Sequence, residues 1–441
     1  MGFTLQELIN ATGAKVIAAN DDVDLLTVST DTRQIGVNMI YLPLKGENFN
    51  GFDFIQDALK KGADGYFTDD INNVYPESDV ILYVPDTKKA YLQIAEYYRN
   101  KISPKVIMIT GSSGKTTVKE MMAAVSEQKF ITHKTKLNHN NEIGLCQTFL
   151  SMPENTQVLV AEGGMRGPGE IELLSEYTKP DIAIITNVGT AHIGRLGSVE
   201  NIAKAKCEIV KYLNKKGVLI APNSDLIKKY NNFCGKTEYI NFSSDIKIRR
   251  ITNDKTEFDY KYERYVIPQS GEHNAQNASL VIEAAKELGM NKEEIQTGLL
   301  NYKSVENRWQ LIKTGKFSII NDCYNANPDS VKAAVKTFVN MSEFPKIIIL
   351  GDMGELGNKE IFYHEQIGEY LNNCNFDYLI TFGNLAANIR TKNVPYKNFS
   401  DKKELAKYLK ENFKDGANVL LKASRSMKFE EIIKELSEIC T

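Results

Sequence analysis

Val106-Ile-Met-Ile-Thr-Gly-Ser-Ser-Gly-Lys-Thr-Thr-Val-Lys-Glu-Met-Met122 decides how this chain is read. An apolar run, VIMIT, has the composition of a buried strand. It breaks at Gly111-Ser112-Ser113-Gly114, and Lys115-Thr116-Thr117 then opens a helix. Backbone N–H groups at a helix N-terminus attract phosphate, and glycines let the backbone come close to it. A lysine in this place reaches the outer phosphates, and the hydroxyl of the next residue binds Mg2+. The general phosphate-loop pattern would set a glycine at Ile109, where this chain has a tighter G-x-x-G-K-T form beginning at Gly111. The plain alternative is a glycine turn before a helix, against which Lys115, Thr116 and Thr117 stand.

The same strand, glycine turn and helix order recurs downstream. VLVAEGGM, DIAIITNVG and GVLIAPNSD are apolar runs ending in small residues. Strands alternating with helices predict βαβ units, a mostly parallel sheet and ligands at the carboxyl ends of its strands. Glu162 and His192 fall at such ends. A carboxylate there holds a metal beside a nucleotide or is merely solvated, and a lone histidine is a ligand or is simply packed. Lys204 and Lys206 follow on a helix, where either reads equally as a surface lysine. Thr237 to Ile267 alternates like a small antiparallel insert, and a helix is expected from about Asn274 to Leu288. FSIINDCYNANPDS, KIIILGDM, YLITFG and NVLLKASRS bring a further open α/β pattern. Before the loop, MIYLPLKG and VILYVPD alternate with helical stretches, and Ile102-Ser103-Pro104 makes a break. The expected organisation is α/β in three domains: a small N-terminal one over 1–103, a central mostly parallel one over 104–313, and a Rossmann-like one over 314–441.

The chain has 441 residues, 42% hydrophobic and 25% charged, enough for sizeable cores without staples. A net charge of −2 gives no nucleic-acid footprint. Cys146, Cys207, Cys234, Cys323, Cys374 and Cys440 form no C-x-x-C pair or zinc spacing, so reduced, mostly buried thiols are expected. The first residues resemble no secretory leader, and no apolar run is long enough to cross a membrane. These features place the chain in the cytoplasm.

The central segment resembles the Mur ligase family, which builds the peptide stem of bacterial peptidoglycan. The family's G-x-x-G-K-T loop, metal-binding glutamate, T-N-[IV]-x-x-x-H segment and downstream lysine are similar to Gly111 to Thr117, Glu162, Thr186-Asn187-Val188 with His192, and Ala205-Lys206-Cys207-Glu208-Ile209. The resemblance implies ATP at Gly111, Ser112, Ser113, Gly114, Lys115, Thr116 and Thr117, with Asn141, Asn277, Arg308 and Asp322 contributing. It implies two Mg2+ ions, held through Thr116, Glu162, His192 and a Lys206 carrying a carbamate. Asp31, Thr32, Arg33, Lys45 and Gly46 match a uridine-nucleotide motif, from which Asn50 and Phe52 depart. Asn321 to Ser330, LGDMGELG with Tyr363-His364-Glu365, and LKASRSMKFE match the members that add D-alanyl-D-alanine to UDP-N-acetylmuramoyl-tripeptide. Tyr324, Asn325 and Asn327 would lie on the dipeptide side. Folylpolyglutamate-type ligases, cyanophycin-type ligases and a kinase or regulatory NTPase are the alternatives. Tyr324 to Pro328 and Asp31-Thr32-Arg33 argue against the two other ligases.

The implied chemistry is amide formation through an acyl phosphate. Lys115, His192, Lys206 and Arg308 would be the catalytic groups of a monomer acting on small molecules.

Overall fold

In the computed structural model the strand Lys105–Thr110 runs through the middle of a six-stranded sheet. Its spatial order is Thr132–Lys134, Val158–Glu162, Lys105–Thr110, Ile182–Ile185, Val218–Pro222 and Lys236–Ile240, and every pairing is parallel. The central strands are apolar between their ends because both faces are covered. Val158–Glu162 and Ile182–Ile185 are buried at every position. The helix Lys115–Ser126 turns Val118, Met121, Met122 and Val125 into that core. After Lys105–Thr110 the chain builds one side of the sheet and then crosses to the other. The carboxyl ends of Lys105–Thr110, Val158–Glu162 and Ile182–Ile185 therefore meet at a switch point, where open α/β sheets hold ligands.

The structure describes residues 2–20, 25–46, 48–136, 139–340 and 345–438. They form two compact units, residues 1–104 with 135–157, and residues 105–134 with 158–441. The first unit holds a five-stranded sheet ordered Lys15–Ala19, Val80–Tyr83, Gly65–Thr68, Met39–Tyr41, Thr27–Ser29, antiparallel only at its first pair. Its helices Thr87–Ile102 and Glu142–Leu150 pack together, and Tyr98 donates to the Met152 carbonyl at 2.9 Å. Residues 135–157 thereby join the N-terminal fold although they interrupt the central sheet in sequence.

The second unit adds a further six-stranded sheet, ordered Gln310–Thr314, Phe317–Asn321, Ala417–Lys422, Lys346–Gly351, Tyr378–Phe382, Tyr396–Phe399. Only its first pair is antiparallel. The expected division at 313/314 falls inside that pair, so Gln310–Thr314 belongs to the C-terminal sheet. The expected antiparallel insert is shorter than its sequence pattern. Lys236–Ile240 is the parallel edge of the central sheet, and the insert proper is Ile246–Ile251, Thr256–Tyr260 and Glu263–Ile267. A parallel edge strand is only partly covered, so polar residues are tolerated along it, as in KTEYI. The long helix runs Glu272–Glu287, close to expectation. Cys146, Cys207 and Cys323 are buried free thiols, Cys234 is exposed, and Cys440 lies outside the described residues.

Candidate active site

Gly111 has φ +155°, and a Cβ there would stand 1.7 Å from the Thr186 hydroxyl. Gly114 has φ +77°, and its Cβ would stand 2.7 Å from Oδ1 of Asn277. Only glycine gives both the backbone angle and the clearance at these positions. Asn187 clamps the loop between them. Its Oδ1 accepts from the Ser112 and Ser113 N–H groups at 3.1 and 3.0 Å, and its Nδ2 donates to Ser113 Oγ at 2.8 Å. Ser112 Oγ accepts from the Gly189 N–H at 2.9 Å. The helix Lys115–Ser126 has no side-chain cap, so the N–H groups of its first turn remain for a ligand.

Four charged or polar groups converge on that helix end. Lys115 Nζ donates to the Gly111 carbonyl at 2.8 Å. Burial pulls its pKa down, the Glu162 charge opposes that fall, and the Arg308 charge adds to it. Thr116 Oγ1 donates to Glu162 Oε2 at 2.9 Å and accepts from Arg308 Nη2 at 2.9 Å. The Arg308 guanidinium lies 3.9 Å above the Tyr324 ring, which fixes its plane. Thr116 and Glu162 are hard oxygen donors, the kind Mg2+ takes together with phosphate oxygens and water. Among the described residues no three His, Cys, Asp or Glu side chains gather as an all-protein metal cage.

Lys206 is 1% exposed, and burial pushes its pKa far down, helped by the charge of Lys115. Among the described residues its side chain has no hydrogen bond or ion pair. Desolvation thus favours the neutral amine, the form that adds CO2. As an amine it is no match for Mg2+, whereas a carbamate would supply oxygen donors. His192 is left-handed at φ +65° and sets Nδ1 2.6 Å from Glu355 Oε2. That neighbour, with Arg195 and Arg166, holds the Glu355 carboxyl below the usual range.

Other expected residues have local partners. Asn277 packs on Gly114. His273, one turn earlier, stands edge-on to Trp309 at 5.7 Å, and burial pulls its pKa down to about 4. Asp322 Oδ2 accepts from Lys422 Nζ at 2.6 Å, and its Oδ1 accepts from the Trp309 N–H at 3.2 Å. Lys422, 3% exposed, also donates to the Asn325 carbonyl at 3.1 Å. Tyr324 carries Arg308, and Asn327 caps the helix Pro328–Val339 in a capping box with Ser330. Thr190 donates to Asp329 Oδ2 through its N–H at 2.7 Å and its hydroxyl at 2.8 Å.

The remaining candidates lie in the first unit. Asn141 caps the helix Glu142–Leu150 through the Gly144 N–H at 2.9 Å. Asp31 and Arg33 are bound to each other at 2.7 Å, and the guanidinium brings the Asp31 carboxyl down to about 2. The Thr32 carbonyl accepts from Lys61 at 3.1 Å. Lys45 pairs with Asp69 at 2.8 Å and lies 4.6 Å from the Phe52 ring, while Gly46 pairs with Phe49 in a two-residue strand. Asn187, Lys422, Asp329 and Glu355 were missed as individual site residues. Each lies in a quoted motif, but only the tertiary contact gives it a partner.

A phosphate loop at a parallel-sheet switch point, with a Thr–Glu pair and an arginine from the turn before a second sheet, defines an ATP-dependent α/β enzyme. Comparison narrows the class. Residues 109–285 match the Mur ligase middle domain and residues 307–425 the Mur ligase, glutamate ligase domain. The UDP-N-acetylmuramoyl-tripeptide--D-alanyl-D-alanine ligase of Bacillus subtilis is 38% identical over 93% of each chain. A crystal structure of MurF from Acinetobacter baumannii superposes with TM-score 0.91 at 28% identity over 99% of each chain. A MurF ligase of Thermotoga maritima in complex with ADP gives 0.85 at 26% identity, covering 93% of this chain and 97% of that one. The chain belongs to the Mur ligase family.

Proposed function

We propose that this chain joins D-alanyl-D-alanine to UDP-N-acetylmuramoyl-tripeptide at the expense of ATP, as the names of its relatives state for them. The observation that carries the site assignment is Thr116, whose hydroxyl is shared by Glu162 and Arg308 beneath an uncapped helix end. A carboxylate is a poor electrophile, and phosphorylation turns its oxygen into a leaving group. The tripeptide carboxylate attacks the γ-phosphorus, ADP leaves, and an acyl phosphate remains. The amine of the dipeptide attacks the acyl carbon, the C–N bond forms, and phosphate departs. Positioning and charge neutralisation are the protein's share of such a transfer.

Lys115 and Arg308 neutralise two anionic reactants that otherwise repel, and the loop N–H groups orient the phosphates. Thr116 and Glu162 would hold one Mg2+, with His192 and a carbamate on Lys206 serving a second. Bound there, the ions would supply Lewis-acid neutralisation of the phosphate oxygens. Asn277 serves the nucleotide, Asp322 and Asn325 seat nucleotide or dipeptide, and Asp31, Thr32, Arg33, Lys45 and Gly46 take the uridine nucleotide. We read the three main sheets as three domains of a monomer. No helix among the described residues is long and apolar enough to cross a membrane, and nucleotide-linked substrates fit a cytoplasmic enzyme.

Phosphate release from ATP, with UDP-N-acetylmuramoyl-tripeptide present and D-alanyl-D-alanine added or withheld, tests the reading. Release requiring both substrates supports it. Release that ignores the dipeptide returns the chain to a plain NTPase. Carbon-13 bicarbonate should give a carbamate resonance that Lys206→Ala removes, and its absence would reject the carbamate.

A further inference from the structure

LGDMGELG, residues 350–357, is a quoted motif to which the mechanism gives no task. Its loop is wired into the C-terminal sheet from several sides. The Met353 N–H donates to His364 Nε2 at 2.9 Å, and the Gly354 N–H to Ser424 Oγ at 2.8 Å. Asp352 Oδ1 accepts from the Ala386 N–H at 2.7 Å. The loop then meets the segment after strand Ile182–Ile185. The Gly194 N–H donates to the Glu355 carbonyl at 3.0 Å, and a Cβ on Gly194 would stand 2.4 Å from the Gly357 nitrogen.

Two left-handed residues other than glycine face each other across this seam, His192 at φ +65° and Glu355 at φ +63°. Such backbone is strained for a residue with a Cβ, and here it brings the Glu355 carboxylate to His192. Asp352 in the loop is engaged by the Ala386 N–H, and three further carboxylates already described are engaged as well. Glu162 accepts from Thr116, Asp322 from Lys422 and the Trp309 N–H, and Asp329 from two donors of Thr190. Glu355 differs. Its side chain is 42% exposed, its Oε2 meets His192, and among the described residues its Oε1 has no partner. Its charge is felt at Lys115, the lysine of the phosphate loop.

Resting on the ligase reading above, we propose that Glu355 receives the ammonium group of the incoming dipeptide and sets it beside the acyl phosphate. The amino substrate is a zwitterion. Arg166 and Arg195, whose charges bear on Glu355, suit the carboxylate at its other end. In the step that follows, the ammonium loses one proton to solvent and one to the leaving phosphate. The C–N bond forms, and the C–O bond to phosphorus breaks with its electron pair on phosphate.

The test is a double cycle in the full-length protein. D-alanyl-D-alanine and its des-amino analogue, propionyl-D-alanine, are each bound to the wild type and to Glu355→Gln, and KM values are measured for all three substrates. The expected result is a KM for the dipeptide raised about tenfold or more in Glu355→Gln, with a much smaller change for ATP. The wild type's preference for the amine over the des-amino analogue should shrink by the same factor. Equal losses for ATP and dipeptide, or an undiminished preference for the amine, would overturn the assignment. If Glu355→Gln does not fold, Glu355→Asp runs the same cycle, and the shorter carboxylate should keep the preference while weakening it. A wild type that releases phosphate without the dipeptide signals failure of the ligase reading instead.

Discussion

The phosphate loop and the Asp31 motif are both charged, both marked in the sequence, and physically unlike. Lys115 is buried against the Gly111 carbonyl, and burial lowers its pKa. Arg33 has a side chain 86% exposed and is paired with its own neighbour Asp31. Around the loop the charges sit in a dry site, where they act on a reacting phosphate far more strongly than in water. The exposed Asp31–Arg33 pair contributes little to folding, because solvent and salt screen it. One region is a buried cluster held by its own contacts, whereas the other is an exposed pair.

That contrast yields ordered expectations. Lys115→Ala should cut turnover by about a thousandfold while binding of the uridine nucleotide persists. Turnover near normal would break the comparison on its buried side. Gly111→Ala drives a methyl to within 1.7 Å of the Thr186 hydroxyl and should lower unfolding free energy by at least about 3 kcal/mol, read by denaturant titration. An unshifted midpoint would mean that the loop yields.

His273 sharpens the buried side further. Its folded pKa, about 4, lies below the ordinary value of 6.5, so the unfolded chain binds the proton first. Stability is full above about 6.5 and declines as pH falls toward 4, by about 1.4 kcal/mol per pH unit at most. His273→Gln should flatten that slope, and an unchanged slope would remove His273 from the acid response. The smallest structural effect belongs to the exposed region. Asp31→Ala should leave the thermal midpoint nearly unmoved, yet raise the KM for the uridine nucleotide about tenfold with the KM for ATP unchanged. A large fall in the midpoint would show that the pair supports the fold.

The legible part of the fold was the part with a strong local signature. Continuous apolar runs such as Val158–Glu162 gave the parallel sheet, because strands covered on both faces leave no polar positions. Lys236–Ile240 misled because an edge strand is only partly covered, and its polar residues cannot tell a parallel edge from a hairpin. Residues 135–157 follow the phosphate loop in sequence yet join the N-terminal fold, through the packing of Glu142–Leu150 on Thr87–Ile102. Periodicity reports which face of a helix is buried but not against which partner.

By itself the sequence determined the phosphate loop, its two required glycines, the carboxylate at the end of Val158–Glu162 and the family. Each depends on residues close together in the chain or on an unbroken pattern. Tertiary structure alone decided that Arg308, stacked on Tyr324, reaches the Thr116 hydroxyl, and that Lys422 takes up one oxygen of Asp322. It also decided that Lys206 is stripped of water and that Glu355 meets His192. The reason is geometric. A parallel sheet gathers the carboxyl ends of strands far apart in sequence, and a charge's surroundings exist only once those ends have met.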